Sequence, residues 1–297
     1  MRQTAVLTIG NFDGVHLGHQ ALLKRVTDLA AIRGIESAVL TFSNHPTVVL
    51  KPDAPVIPIC TPIHKEALIK SFGIQHIYKI PFTPELSQKT AREFIQELQL
   101  EIYFPDLILG HDAVFGKGRM GDRSVIETLG RELNFHADYQ PAICHDNIPV
   151  SSSAIRRCLK EGNLEKVNDL LGRKYSILQK VSKGLGLAKQ LGYPTYNFDV
   201  SSLCLPPLGI YIVGLIAQGQ HHPAVASLGI APTIRNDLRP ILEVHLLGNA
   251  NLDPSQPMET VFYQYLRPEA KFDTLELLSS QIGKDVIAAK GYFFNTV

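Results

Sequence analysis

Residues 9–19 read I-G-N-F-D-G-V-H-L-G-H, and this stretch decides the fold expected for the first half of the chain. It follows a short apolar run at residues 6–9, which is typical of a buried strand. It precedes residues 18–33, where apolar side chains recur at helical spacing and Gly34 follows as a stop. A helix that starts directly after a glycine-rich turn has unpaired backbone N–H groups, which bind anions well. The stretch therefore predicts a phosphate-binding turn between a strand and a helix.

The residue types within this turn suit nucleotidyl transfer. Gly10, Gly14 and Gly18 carry no side chain, so a phosphate chain can approach the backbone. His16 and His19 can add N–H donors at the same place, where fixed donors would stabilise charge on an α-phosphate and a leaving pyrophosphate. Two histidines at this spacing could also be a metal pair or an ordinary surface pair, so these residues alone leave the question open.

Short β-type runs alternate with helical stretches through the rest of the first half. We predict strands at 37–42, 76–80 and 106–109, and helices at 63–72 and after the Thr90/Glu93 capping box. Five prolines predict a loop over 46–62. Strand, helix and strand at this spacing indicate a parallel α/β sheet.

Two later segments could complete a phosphate site. Ser152 and Ser153 open a further helix ahead of Arg156, and together they offer hydroxyl, backbone N–H and guanidinium donors. Serines at a helix start are more often simple caps. Residues 110–119 read G-H-D-A-V-F-G-K-G-R and follow a strand end, where ligands lie in open α/β sheets. Candidate site-lining residues in this segment are Asp112, Phe115 and Gly116.

The pattern changes near residue 172. Helical spacing continues to residue 171, and β-type runs separated by glycine and proline follow, at 176–181, 209–217, 223–228, 242–247 and 261–266. Residues 274–289 then return to helical spacing. We therefore predict two domains, residues 1–171 and 172–297, the second a small antiparallel barrel with a closing helix.

The second half carries its own candidate site. Thr195 and Asn197 lie in G-Y-P-T-Y-N, and their side-chain oxygens suit a nucleotide-bound Mg²⁺, although most Pro-Thr pairs are structural. Glu243 and His245 share one face of an alternating strand, and such a face is usually the solvated side. A carboxylate in a barrel mouth could instead take the proton from an attacking hydroxyl.

Composition excludes several classes of protein. With 29 Lys+Arg against 28 Asp+Glu, the chain lacks the basic excess expected of a duplex-binding protein, so no nucleic-acid partner is expected. The longest uncharged apolar run, near residues 208–217, is too short to span a membrane, and the start of the chain shows no leader pattern. Four cysteines without a C-x-x-C pair indicate free thiols. We expect a cytoplasmic protein without a membrane partner, a monomer or weak homo-oligomer.

The first-half motifs, taken in order, resemble the adenylyltransferase half of bacterial bifunctional riboflavin kinase/FAD synthetase. They are I-G-N-F-D-G-V-H-L-G-H, T-F-S-N-H-P, G-H-D-A-V-F-G-K-G-R and V-S-S-S-A-I-R. The resemblance implies a Rossmann-like nucleotidyltransferase domain that adenylylates FMN with ATP to FAD and releases pyrophosphate. It implies that His16 and His19 contact the ATP phosphates. It also implies that these residues bind the phosphates or line the same site: Gly10, Asn11, Phe12, Asp13, Gly14, Gly18, Ser152, Ser153 and Arg156.

The second-half motifs resemble the riboflavin kinase half of the same enzyme. They are G-Y-P-T-Y-N, L-P-P-L-G-I-Y, S-L-G-I-A-P-T, L-E-V-H-L-L, L-R-P-E-A-K-F and Q-I-G-K-D. The resemblance implies a six-stranded barrel in which riboflavin and Mg-ATP give FMN. It assigns Thr195 and Asn197 to Mg-ATP and Glu243 to the general base on the ribityl 5′-hydroxyl.

This chain departs from the usual family pattern at scattered positions, more often in the kinase half. These are Asn44, Ala113, Ala154, Ala188, Tyr196, Ser227, Ala231 and Gly248. Two alternatives to the bifunctional enzyme follow. One is an FAD synthetase whose barrel is a degenerate flavin-binding module, and the other is a nucleotidyltransferase for a different phosphorylated substrate.

Overall fold

The computed structural model describes residues 3–182, 191–232 and 238–294, without the side chains of residues 231, 232 and 238. The chain forms two compact units. The first comprises Met1–Pro58 and Lys65–Ala154, and the second comprises Ile59–His64 and Ile155–Val297. Residues 155–171 are thus grouped with the second unit, whereas the sequence places the domain boundary near residue 172. The boundary near residue 172 stays a prediction, namely that residues 1–171 can act alone.

The first unit is built on a five-stranded parallel sheet with the order β3-β2-β1-β4-β5. Its strands are β1 (Gln3–Ile9), β2 (Glu36–Phe42), β3 (His76–Ile80), β4 (Ile102–Gly110) and β5 (His136–Gln140). The parallel α/β sheet is therefore confirmed. The strand predicted at 106–109 begins earlier because a register shift against β1 accommodates Pro105.

Helices cover both faces of this sheet. They are α1 (Leu17–Arg33), α2 (Thr47–Leu50), α3 (Pro62–Ser71), α4 (Pro84–Gln88), α5 (Ala91–Glu101) and α6 (Arg123–Leu133). Leu7 of β1 packs in one core with Ile95 of α5, and Val6 packs in a second core with Leu23 of α1. Burial on both faces explains why residues 5–9 of β1 are apolar except for Thr8. The α5 capping box is confirmed.

The expected continuous loop over residues 46–62 is wrong at α2. Pro46 directly precedes this one-turn helix, and a proline at a helix start loses no intrahelical hydrogen bond. The His45 ring accepts a hydrogen bond from the backbone N–H of Thr47 at 3.2 Å and helps to fix the turn.

The second unit is a six-stranded antiparallel sheet with the order β8-β13-β10-β11-β12-β9. A bridge between Ser182 and Asn197 links its two edges and nearly closes a barrel. The strands are β8 (Ser176–Gln179), β9 (Tyr196–Asp199), β10 (Gly209–Ala217), β11 (Gln220–Pro232), β12 (Leu238–Leu246) and β13 (Met258–Arg267). A small hairpin, β6 (Cys144–His145) and β7 (Ile148–Pro149), belongs to the first unit.

Among the residues described from 152 onward, the helices are α7 (Ser152–Lys160), α8 (Leu164–Leu171) and α9 (Leu275–Phe294). Ala289 of α9 is fully buried in a core with Ile212 and Val225 of the barrel. The predicted barrel and closing helix are confirmed. Strand β9 was not predicted, although the Pro-Thr pair does stand at its entry.

The contacts of residues 59–64 predict that this segment is unstable in an isolated fragment of residues 1–171. Thr61 Oγ1 donates to the carbonyl of Leu178 at 2.6 Å, and His64 Nε2 lies 3.5 Å from Glu259 Oε1. Ile59 is only 1% exposed. A fragment of residues 1–171 lacks Leu178 and Glu259, so these contacts are lost. Exposing one such apolar side chain costs about 1.5–3 kcal/mol.

We therefore expect the 1–171 fragment to be cleaved by a protease near residues 59–64 much faster than the full chain. Limited proteolysis with mass spectrometry measures this. Equal protection of the segment in the fragment would show that the second unit does not stabilise it.

Candidate functional sites

A cleft of about 710 Å³ in the first unit is lined by residues that follow the carboxyl ends of β1, β2 and β4. The order of the sheet reverses between β1 and β4, and open α/β sheets bind ligands at such a point. The cleft is lined by eight of the predicted site residues: Gly10, Asn11, Phe12, His19, Asp112, Phe115, Gly116 and Ser153. The structure thus brings together segments that are distant in the sequence.

The turn after β1 has an unusual backbone. Phe12 has φ 52° and Val15 has φ 40°, in the left-handed region that non-glycine residues seldom adopt. Such residues cost on the order of 1–3 kcal/mol each and persist only when their surroundings hold them. A Cβ atom at Gly10 would lie 3.1 Å from the Phe12 ring, closer than ordinary van der Waals contact, so a side chain here would press on this buried ring.

Hydrogen bonds from outside the turn hold it in place. Ser152 Oγ donates to the carbonyl of Asp13 at 3.0 Å, and the Gln20 side chain donates to the carbonyl of Val15 at 2.9 Å. Ser151 accepts from the backbone N–H of Ala154 and is a cap, as serines at helix starts usually are. Ser152 therefore contacts the turn, whereas its neighbour Ser153 lines the cleft.

The two histidines have different surroundings, although the sequence predicts that both add N–H donors at the same place. His16 is buried and caps α1, with its Nδ1 accepting from the backbone N–H of His19 at 3.4 Å. His19 lines the cleft. The two rings stack with their centroids 3.7 Å apart. The structure therefore presents the His19 ring to a ligand and places the His16 ring against it.

The environment of His19 favours a neutral ring. Burial lowers the pKa of His19 well below its usual 6.5, and the nearby charges of His16 and Lys65 lower it further. Among the described residues, no group forms a hydrogen bond with its buried Nδ1. A neutral imidazole with an unsatisfied nitrogen can hydrogen-bond a ligand without an ionic partner already in place.

Lys65 is a residue of this region that the sequence did not reveal. From α3 its ammonium donates to the carbonyl of Asn11 at 3.2 Å, to Thr41 Oγ1 at 3.2 Å and to the carbonyl of Phe42 at 2.9 Å. A lone lysine on a predicted helix is usually a solvated side chain, so only the tertiary structure identifies it.

The second unit brings its candidate residues together through strand register. Glu243 of β12 lies opposite Asn197 of β9 on one side and opposite Ser227 of β11 on the other. Asn197 Nδ2 donates to Thr195 Oγ1 at 3.3 Å. Within the described part of the chain, the buried Oδ1 of Asn197 has no hydrogen-bond partner. The three predicted residues therefore form one polar cluster.

Burial raises the pKa of Glu243 above its usual 4.5, which makes this carboxylate more basic. His245, on the same strand face, has its Nδ1 2.9 Å from the carbonyl of Pro194. Its ring contacts that of Tyr193 with 5.3 Å between centroids. His245 thus fixes the residue that precedes Thr195.

Comparisons with known proteins match both halves of the chain to one enzyme family. A family model described as FAD synthetase matches residues 1–154, and one described as riboflavin kinase matches residues 171–293. The bifunctional riboflavin kinase/FMN adenylyltransferase of Pseudomonas fluorescens is 34% identical over 96% of this chain and 92% of its own length. This chain belongs to the bifunctional riboflavin kinase/FMN adenylyltransferase family.

Further relatives confirm the resemblance and the transferase class. The family member from Listeria monocytogenes is 32% identical over 97% of this chain and 92% of its own length. The Escherichia coli member is 31% identical over 98% of this chain and 94% of its own length. A crystal structure described as a macrolide-efflux protein from Streptococcus pneumoniae has a TM-score of 0.81, with 24% identity, over 98% of this chain and 95% of that one. This last likeness concerns the fold alone.

In the described residues, no helix combines the length and apolar character that crossing a membrane requires. The four cysteines all lie in the described residues, and no disulfide joins them.

The family implies a nucleotide-bound Mg²⁺ in the kinase half, and the residues present fit it. Mg²⁺ prefers oxygen ligands, and the cluster offers the unsatisfied Oδ1 of Asn197 beside the hydroxyl of Thr195. No cluster of three histidine, cysteine or acidic side chains suited to a metal occurs in the described residues. A nucleotide-borne ion needs few protein ligands, because phosphate oxygens and water supply the others.

Departures from the family pattern fall unevenly around this cluster. Ser227 is the cross-strand neighbour of Glu243, whereas a Cβ at Gly248 would meet open space. Ala188 lies outside the described residues, and so does the side chain of Ala231.

Proposed function

We propose that the second unit phosphorylates riboflavin with ATP to FMN and that the first unit adenylylates FMN with ATP to FAD. The observation that carries the adenylyltransferase assignment is His19, a neutral imidazole that lines a cleft beside a glycine-rich helix start. The identity of the substrates is inferred from the family relationship.

In the proposed adenylyl transfer, an FMN phosphate oxygen attacks the α-phosphorus of ATP. The bond to the β-phosphate oxygen breaks, and pyrophosphate leaves. A His19 N–H would donate to the phosphates as charge moves onto the leaving group. The Ser153 hydroxyl is a further donor at the cleft. Arg156 remains a predicted phosphate contact.

In the proposed kinase step, the ribityl 5′-hydroxyl attacks the γ-phosphorus of ATP and ADP leaves. Glu243 would take the hydroxyl proton, and the raised pKa suits it to that role. Thr195 and Asn197 would hold Mg-ATP, whose ion neutralises charge on the phosphates. Phosphoryl transfer depends mainly on such positioning and charge neutralisation.

One assay separates the alternatives. Purified protein is incubated with Mg-ATP and either riboflavin or FMN, and the flavins are separated by chromatography. We expect FMN and FAD from riboflavin and FAD from FMN. FAD from FMN without any turnover of riboflavin would indicate a degenerate barrel. No product from either flavin would favour a different phosphorylated substrate.

A further inference from the structure

We infer that Lys65 is a positioning residue for adenylyl transfer, because it fixes the Asn11–Phe12 turn against the end of β2. This inference rests on the proposed adenylyltransferase function. Its basis is the set of contacts made by the Lys65 ammonium with two backbone carbonyls and one hydroxyl.

The contacts of Lys65 join two edges of the cleft. Asn11 and Phe42 both line it, one after β1 and the other at the end of β2, and Lys65 donates to both carbonyls. The buried Thr41 hydroxyl also donates to the carbonyl of Asn11, at 3.2 Å. The carbonyl of Asn11 is therefore held from α3 and from β2 at once.

This carbonyl stands immediately before the strained residue of the turn. Phe12 has a left-handed backbone, and its ring lies 5.1 Å from the His19 ring, centroid to centroid. A strained backbone relaxes when the groups that hold it are removed. Loss of the Lys65 ammonium would therefore let the turn relax, shift the Phe12 ring and displace His19 from the phosphates.

Lys65 also acts on His19 through its charge. Its ammonium is one cause, with burial and His16, of the lowered pKa of His19. This electrostatic contribution gives a readout that packing alone would not produce. Removing the charge raises the pKa of His19, and keeping a cation at residue 65 keeps it low.

The test compares Lys65→Met and Lys65→Arg with Lys70→Met. Lys70 is an exposed lysine on the same helix, paired with Glu66, so it provides a matched control. Misplacing reacting groups by about 1 Å can cost on the order of 10²-fold in rate. We expect Lys65→Met to lower kcat/KM for FAD formation by about this factor, mainly through kcat. Lys65→Arg should recover part of the loss, and Lys70→Met should match the wild type.

Two further measurements complete the test. Riboflavin phosphorylation should be unchanged in all three variants, which shows that the second unit is intact, and dispersed NMR spectra should show that the first unit, which carries residues 65 and 70, is folded. The ring resonance of His19 is identified as the one that is missing from the NMR spectrum of His19→Gln. Its change with pH reports the pKa of His19. That pKa should rise in Lys65→Met and stay near the wild-type value in Lys65→Arg and Lys70→Met.

Wild-type FAD formation by Lys65→Met would overturn the inference. So would equal losses in Lys65→Met and Lys65→Arg with an unchanged His19 pKa, because Lys65 would then be only structural. Absence of FAD from the wild-type protein would instead refute the proposed function.

Discussion

His19→Ala should lower the rate of FAD formation from FMN and ATP by about 10²–10³-fold, the usual cost of removing one donor to a developing charge. The effect should be this large because His19 lines the cleft and its neutral ring can donate an N–H to the phosphates. Riboflavin phosphorylation should be unchanged, since Thr195, Asn197 and Glu243 belong to the other unit. Steady-state rates of both reactions measure the effect.

A matched control for this variant is His136→Ala. His136 lies at the amino end of β5 in the same unit, away from the carboxyl edge that forms the cleft, and its side chain is 70% exposed. This variant should keep the wild-type rate. If His19→Ala formed FAD as fast as His136→Ala, His19 would have no part in the reaction.

The lowered pKa of His19 also predicts how its removal changes stability with pH. Its pKa in the folded protein lies well below 6.5, so the unfolded chain binds more protons at this site under mildly acidic conditions. The free energy of unfolding therefore falls as the pH drops below about 6.5. His19→Gln removes this contribution, so the variant should lose less stability than the wild type between neutral and acidic pH. Urea denaturation at several pH values measures the difference.

Four of the five strands of the parallel sheet could be predicted from sequence, including the edge strand β3 at residues 76–80. Residues 6–9 and 37–42 are mostly apolar, with Thr8, Ser37 and Thr41 as the exceptions, which is the pattern of a central parallel strand. Strand β5 reads H-A-D-Y-Q, lies at the sheet edge and is only partly buried, so neither apolarity nor strict alternation marked it. The short helices α2 and α4 begin beside prolines, and proline is also typical of loops.

The site could be predicted by residue type but not by role. The spacing of His16 and His19 places their side chains on neighbouring positions of a helix, which is correct for the stacked rings. Spacing does not distinguish a buried cap from a ring that lines a cleft, because that depends on the backbone of the preceding turn. The Lys65–Asn11 contact joins residues 54 apart in sequence, and no local pattern relates them.

The same limit applies to the barrel. Alternation places Glu243 and His245 on one face of a strand, but only the register of three strands places Asn197 and Ser227 beside Glu243. Residues 59–64 belong to the second unit, although about ninety residues of sequence separate them from the rest of it. A single domain boundary along the sequence therefore could not assign them to that unit.

Glu243→Gln should lower riboflavin phosphorylation by about 10²–10⁴-fold, the usual contribution of a general base. Glutamine keeps the size of the side chain and its place opposite Asn197 but cannot take a proton at neutral pH. Because burial raises the pKa of Glu243 above 4.5, the acid limb of the wild-type kinase profile should lie above that value. FMN adenylylation should be unchanged, since its proposed residues belong to the other unit. The measurement is FMN formed from riboflavin at saturating Mg-ATP across a pH series.

Glu276→Gln serves as the matched control for this prediction. Glu276 lies exposed in the first turn of α9, in the same unit, and undergoes the same change of charge. It should leave both activities at the wild-type level. Equal FMN formation by Glu243→Gln and Glu276→Gln would remove Glu243 from the mechanism, because a group that accepts the hydroxyl proton cannot be replaced by an amide without loss. A slow Glu243→Gln with normal adenylylation would assign the proton transfer to Glu243.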